Sequence, residues 1–253
     1  MMVMILLAGA FAVGLSIGLC GVAGFLLPLL FIGYAGYTPS KRLFISFCCF
    51  LISGAIGAWT YYRRGEMPLK IALPLGLSSL AGSTAGAVIG QLWVGKAIQT
   101  VLYVVVLISG LAIFVQEWLI RKSPKREGSA EICAVSRGIL VPIGFVTALI
   151  CAMSGAGGPV VVMPLLVLMG IPVRMSVGIA LFDSIFIAIP SIFVYGSQCT
   201  PSDLGIIFVF ILLCHTAGIL IGSMNADHIP QTALKRGVAV FSVAFAVWKL
   251  FLS

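Results

Sequence analysis

SGAGGPVVVMPLLVLMGIP, residues 154–172, is the stretch that decides how this chain folds. It is apolar enough to enter a membrane, yet its first six positions hold three glycines and a proline. Glycine weakens a helix through backbone entropy and proline removes a hydrogen-bond donor, so a helix running through this point is expected to break. The residues before it, from 138, are apolar as well, which makes one segment of about 35 residues where a single crossing needs roughly 20. A second segment of the same kind opens the chain at 2–36, interrupted by SIGLCGVAG at 16–24 ahead of Pro28.

Six further apolar segments, at 41–62, 70–94, 97–119, 174–197, 202–224 and 229–252, complete a set of eight separated by short polar punctuation. With 253 residues, 61% of them apolar and only 9% charged, the chain holds more apolar surface than one soluble core can cover. The runs are continuous rather than alternating, which excludes a membrane β-barrel and leaves helices, the other structure that satisfies its own backbone in lipid. An all-α polytopic membrane protein is expected. The first apolar run continues past the length of a signal peptide and is expected to be retained. A net charge of +8 would suggest nucleic acid in a soluble protein, but in membrane loops it reports orientation, and no nucleic acid is expected. Of the seven cysteines, Cys20, Cys48, Cys49, Cys151 and Cys214 lie inside apolar segments and read as small buried hydrophobes.

The segments repeat. TAGAVIG at 84–90 recurs as TAGILIG at 216–222, an offset of 132, and Gln99-Thr100 recurs as Gln231-Thr232. Upstream, Tyr61 matches Tyr195 at an offset of 134, and Pro28-Leu29-Leu30 matches Pro164-Leu165-Leu166 at 136, with Gly21 on Gly157. This predicts two copies of one four-segment unit, 1–119 and 138–253, whose first segments are long and broken. Small insertions are expected in the first copy near 33–36 and 63–68. The linker 120–137 carries Arg121, Lys122, Lys125, Arg126 and Arg137, and is expected to be cytoplasmic.

If each broken segment returns to its starting side, three crossings remain per copy and the copies are inverted. Eleven of the fifteen cations then lie on the linker side, against nine if all eight segments cross. The inverted arrangement fits the positive-inside rule better. In it Arg63, Arg64, Lys70 and Arg174 share the linker side, and Lys41 and Arg42 lie opposite.

Broken helices at membrane depth are tolerated where protein buries them or where they line a cavity, and their half-helix N-termini attract anions. Two related breaks converging on one place predict a site for a small anion at Ser16, Gly18, Cys20, Gly21 and Gly24, with Ser154, Gly155, Ala156, Gly157, Gly158 and Pro159 from the second copy. Gly82, Gly86, Gly90, Gly218 and Gly222, spaced four apart, read instead as helix-packing positions. Two ionisable residues fall inside apolar segments, Asp183 and His215. Their aligned positions in the first copy are Cys49 and Ser83, so this asymmetry suits proton coupling, and the two could also pair with each other. Ser53, Ser184 and Ser191 offer further hydroxyls. Tyr61 and Tyr195 read as interface anchors, and Lys41, Arg42 and Arg174 as loop charges. No catalytic set, metal cluster, cofactor motif or P-loop is present, so no enzyme, metal, cofactor or ATP is expected.

The stretch 154–172 followed by Val-Gly-Ile-Ala at 177–180 resembles the second repeat of the sulfite exporter TauE/SafE family. GLCGVAGFLLPLLFIG at 18–33 and YYRRGEM at 61–67 resemble its first repeat. The resemblance covers essentially the whole chain. It implies a multi-pass protein of the cell inner membrane that moves small sulfur-containing anions such as sulfite, sulfoacetate or thiosulfate, often with protons as coupling ion. Cys20, Val22 and Ala23 stand where the family commonly has glycines. The expected partners are the anion, membrane lipid and protons, with a homo-oligomer compatible; an anion channel is the alternative reading.

Overall fold

The fold is seen in a computed structural model that describes residues 2–21, 23–31, 37–92, 137–169, 171–199 and 201–225, with isolated helical positions within 100–115 and 240–247. The expected segments 97–119 and 229–252, and the linker up to residue 136, otherwise lie outside the described residues. All described elements are helical. The first copy contributes α1 (Met2–Cys20), a 3-10 turn (Ala23–Phe25), α2 (Leu26–Leu30), α3 (Pro39–Arg63) and α4 (Leu69–Leu92). The second contributes α5 (Arg137–Ser154), α6 (Gly158–Leu168), α7 (Val173–Gly196) and α8 (Pro201–Asn225).

Both long segments break where glycine clusters. α1 stops at Cys20 and α5 at Ser154, and the next residue in each case, Gly21 (φ 73°) and Gly155 (φ 71°), adopts the left-handed conformation that glycine alone reaches without strain. Each still donates its N–H back to its helix at 2.8 Å, Gly21 to Ile17 and Gly155 to Cys151, closing the last turn. α6 has 11 residues, about 16 Å of helix, or half of a hydrocarbon layer of about 30 Å. The next helices begin at matching places. Thr38 caps α3 by accepting from the Lys41 N–H with Pro39 in the first turn, and Pro172 precedes α7.

The copies are intertwined rather than side by side. α1 packs on α8, α4 on α5, and α3 on α7, each pair joining one copy to the other. The contacts give the directions. Gly14 and Gly18 of α1 meet His215 and Gly222 of α8, and Gly82 and Gly86 of α4 meet Phe145 and Leu149 of α5, so both pairs are parallel. In α3 and α7, Phe44 meets Gly196, Gly54 meets Leu181 and Tyr61 meets Gly178, so this pair is antiparallel. α3 also runs parallel to α8, with Phe44 on Phe208 and Ser53 on His215. Hence α1 and α3 point the same way although they follow one another in the chain, and the stretch between them must run back. In the same way α5 and α7 are parallel, with the half-length α6 returning between them. Counterpart helices therefore oppose one another in direction, the arrangement of an inverted repeat.

The contacts also correct the register. Gly155 meets Leu43 and Gly21 meets Val177; Gly158 meets Ser184 and Gly24 meets Phe50. These pairs correspond at an offset of 134, so the counterpart of Gly21 is Gly155 and not Gly157. In the third helices Gly82 lies on the Phe145 carbonyl and Gly218 on the Phe11 carbonyl, an offset of 136 and not 132. Four-residue glycine spacing nearly equals one helical turn, so the glycine pattern alone matches equally well one turn away. Only the partner helix fixes the register.

Four helices, Pro39–Arg63, Leu69–Leu92, Arg174–Gly196 and Gly205–Asn225, are long and apolar enough to cross a membrane. α8 has its non-helical point at Gly205 (φ 58°, ψ −179°), where its spanning part starts. Large apolar side chains such as Leu77, Phe193, Ile206, Leu213 and Met224 are exposed on the outside. That is stable in lipid and not in water, so the protein is a multi-pass membrane protein. The four-spaced glycines sit as expected, each facing a neighbouring helix at backbone distance.

At one end of the bundle Arg174 at the start of α7 forms an ion pair with Glu66 of the α3–α4 loop, Nη1 to Oε1 3.1 Å. At the other, the Ser40 hydroxyl donates to Gln198 at 2.5 Å. Cysteines placed at Glu66 and at Arg174 are expected to react with a membrane-impermeant maleimide from the same side of sealed vesicles. Reaction from opposite sides is what eight full crossings require.

Candidate functional site

The two breaks meet. A Cβ built on Gly24 lies 3.6 Å from the Ala156 carbonyl, and one built on Gly155 lies 3.3 Å from the Pro28 ring. Phe50 of α3 stands between them. Its ring is 3.0 Å from the Gly24 Cβ position and 3.1 Å from that of Gly157, which has φ 70°. The matching position in α7 is Ser184, whose Oγ is 2.9 Å from the Gly158 Cβ position and donates to the Ala180 carbonyl. Gly21, Gly24, Gly155, Ala156, Gly157, Gly158 and Pro159 are all buried. α6 begins in this cluster with Gly158, so its first backbone N–H groups and the positive end of its dipole belong to it.

Other expected site residues face elsewhere. Gly18 lies on the backbone of α8 at Ile219, Gly222 and Ser223, as a packing residue does. Ser154 is buried with its hydroxyl donated to Ile150 in its own helix at 2.7 Å. Ser16 is half-buried in the last turns of α1, and the Cys20 side chain is outside the described residues.

Asp183 and His215 do not pair. Asp183 is fully buried on α7, facing Ser79 of α4 and Cys151 of α5. Neither carboxyl oxygen meets the geometry of a hydrogen bond among the described residues, and the nearby Ser79 hydroxyl is within reach of the Leu75 and Gly144 carbonyls as well. His215 is fully buried on α8, with Nε2 2.5 Å from the Ser53 hydroxyl of α3 and Nδ1 3.2 Å from the Ala10 carbonyl of α1. A carbonyl only accepts, so Nδ1 carries a hydrogen. The Ser79 contact to Gly144, also 3.2 Å, is the counterpart of the His215 contact to Ala10. Thus Ser79 and not Ser83 corresponds to His215, and the two ionisable residues stand at separate seams of the inverted repeat. Asp183 immediately precedes Ser184 in sequence and so adjoins the cluster of breaks.

Sequence reasoning misplaced the tyrosines. Tyr61 and Tyr195 are 2% and 1% exposed, not anchored at an interface. Tyr195 stacks on Phe47 and donates its hydroxyl to the Ala152 carbonyl at 2.9 Å, bracing α5 just before its break. The exposed aromatics at this end of α3 are Trp59 and Tyr62, with the Arg63 guanidinium 5.1 Å above the Trp59 ring. Arg174, Lys41 and Arg42 are more than loop charges. Arg174 pairs with Glu66, Lys41 is 8% exposed beneath the Tyr37 ring, and Arg42 donates Nε to the Tyr37 carbonyl. Phe50 went unnoticed because a phenylalanine in an apolar helix carries no signal of its own. Cys48, Cys49, Cys151, Cys199 and Cys214 form no disulfide, and no group of metal-ligating side chains occurs among the described residues.

A match to the family model described as Sulfite exporter TauE/SafE extends over residues 6–249. Searches of the curated proteins and of the solved structures gave no match. Nearly the whole chain is covered, broken segments included, and the protein accordingly belongs to the sulfite exporter TauE/SafE family of membrane transport proteins.

Proposed function

We propose that the protein is a secondary transporter of a small sulfur-containing anion across the cell inner membrane, bound between the two breaks and coupled to protons through Asp183. The observation that carries this reading is the convergence of Gly24, Ala156 and Gly157 about Phe50, with the N-terminus of α6 opening into the same cluster. Helix N-termini at membrane depth bind anions without a fixed cation, and glycines let an oxyanion approach backbone N–H groups closely. The family implies sulfur-containing anions; sulfite, sulfoacetate and thiosulfate are the substrates to compare. The family is one of transporters rather than enzymes, and the energy comes from an ion gradient or from the substrate's own gradient.

The buried ring of Phe50, packed against Gly24 and Gly157 of the two breaks, favours a carrier over a channel. Saturable counterflow in proteoliposomes is the expected behaviour, and sustained single-channel currents would overturn it. Gly158→Leu, whose side chain must displace Ser184, is expected to abolish transport in protein that still inserts and elutes as one species. Unchanged transport by such protein removes the site.

Asp183 is assigned the proton because its oxygens are buried without a partner, whereas both ring nitrogens of His215 are engaged. Asp183→Asn is expected to leave transport insensitive to a pH gradient. His215→Asn is expected to keep the pH response while lowering thermal stability in detergent, since it loses a tie between α8, α3 and α1. A pH response that survives in Asp183→Asn and disappears in His215→Asn reverses the assignment.

A further inference from the structure

The third helix of each copy is tied to the first helix of the other at one matching place. His215 of α8 reaches the Ala10 carbonyl of α1 through Nδ1 at 3.2 Å, and Ser79 of α4 reaches the Gly144 carbonyl of α5 through Oγ, also at 3.2 Å. The two ties differ in what competes for the hydrogen. The Nδ1 hydrogen of His215 goes to Ala10, while the other ring nitrogen meets Ser53. The Ser79 hydroxyl has a single hydrogen. Around it stand the Leu75 carbonyl of its own helix at 2.9 Å, the Gly144 carbonyl, and the Asp183 carboxyl of α7 that it faces. Both carboxyl oxygens are buried and meet hydrogen-bond geometry with none of the described residues. Cys49 holds the position of Asp183 in the first copy, so the His215 tie has no carboxyl as a rival. The other helices packed on α7 bring no charge to this place. α3 meets it at Leu181 and Ile185 through Gly54, and α6 meets it at Ala180, Ser184 and Ile187 through Gly158, contacts that carry no titratable group. From α5 the titratable side chain facing Asp183 is the Cys151 thiol.

We infer that Ser79 is the positioning residue through which the charge on Asp183 acts on the α4–α5 seam. An ionised carboxylate takes the Ser79 hydrogen and releases the Gly144 carbonyl; a protonated carboxyl donates to Ser79 Oγ and sends that hydrogen back to the carbonyls. This rests on Asp183 carrying the coupling proton. One proton enters with protonation of Asp183 and leaves with its ionisation, and Ser79 keeps its own hydrogen throughout. A hydrogen bond to a charged acceptor is about twice as strong as one to a neutral carbonyl, so the carboxylate wins the competition whenever it is ionised. α5 ends at the break, and Gly144 lies about three turns before Gly155 on the same helix. Protonation therefore ties α4 to the helix that carries the second break. The His215–Ala10 tie at the other seam stays as it is, so one seam of the repeat responds to the proton and its counterpart does not.

The test is the pH profile of sulfite counterflow in proteoliposomes by wild type, Ser79→Ala and Ser79→Thr, any titration of the anion itself being common to all three. In Ser79→Ala the ionised Asp183 loses a hydrogen bond, so the protonated form persists to higher pH. The midpoint of the profile is expected to rise by about one pH unit or more, the scale of one charge-assisted hydrogen bond. Ser79→Thr keeps the hydroxyl and is expected to keep the wild-type midpoint. A purely structural role at the seam changes the rate at every pH and leaves the midpoint where it was. An unchanged midpoint in a Ser79→Ala variant that inserts and transports overturns the proposal. So does an equal rise in Ser79→Thr, or loss of transport at every pH from inserted, monodisperse Ser79→Ala. If Ser79→Ala does not insert, Ser79→Cys takes its place, its thiol being a weak donor. A raised midpoint in that variant supports the proposal, and the wild-type midpoint rejects it. Failure of the underlying reading looks different, for then Asp183→Asn retains the pH response. A pH-insensitive Asp183→Asn together with an unchanged midpoint in Ser79→Ala discards the role of Ser79 alone.

Discussion

Backbone that leaves a helix inside a membrane must find its hydrogen bonds within the protein, because each unsatisfied amide or carbonyl in hydrocarbon costs several kcal/mol. Among the described residues the two long broken segments leave their helices at Gly21 and at Gly155. The rest of the molecule is arranged around them. α3 and α7 cross in opposite directions and supply the wall against which both breaks lie, and α4 and α8 back those walls at Ser79, Ser83 and His215. The break residues are buried between the described helices, while the outer faces of α1 and α5 stay exposed at Met4 and Ile5 and at Ile139, Val141 and Val146.

This constraint explains the intertwining. Each broken helix packs on the third helix of the other copy, α1 on α8 and α5 on α4, through glycines that bring the backbones together. Each copy covers its own break only in part, Phe50 at Gly24 and Ser184 at Gly158, and the other copy closes the rest with Val177 at Gly21 and Leu43 at Gly155. Relative motion of the copies must therefore act on the α1–α8 and α4–α5 pairs as well as on the α3–α7 pair. The α3–α7 pair is tied at its two ends by unlike contacts, the Arg174–Glu66 ion pair and the Ser40–Gln198 hydrogen bond.

An inverted repeat supplies the scaffold twice, and the chemistry appears where the two halves disagree. Cys49 stands opposite Asp183, Ser79 opposite His215, and Phe50 opposite Ser184. In each pair one member is what packing alone would tolerate, and the other introduces a group that is costly or bulky at membrane depth. The buried carboxyl of Asp183 lies next to Ser184 in sequence, so these two polar departures of the second copy share α7, while His215 stands apart where α8 meets α3 and α1.

Membrane insertion, helical class, the places of the two breaks and the inversion of the copies were legible in the sequence, because each follows from local residue type: long apolar runs, clustered glycine with proline, and cations at helix ends. The packing role of the four-spaced glycines was legible for the same reason. Register was not, since a pattern that repeats every helical turn matches itself one turn away, and the pairing of Asp183 and His215 failed on the same ground. Tyr195 was misplaced because position near a segment end says nothing about which neighbour receives its hydroxyl. Phe50 was invisible because its significance lies in what it touches, Gly24 and Gly157, residues 26 and 107 positions away along the chain. Composition and periodicity determine which segments become helices and where they give way; which side chains then meet depends on partners distant in sequence, and only the packed bundle brings them together.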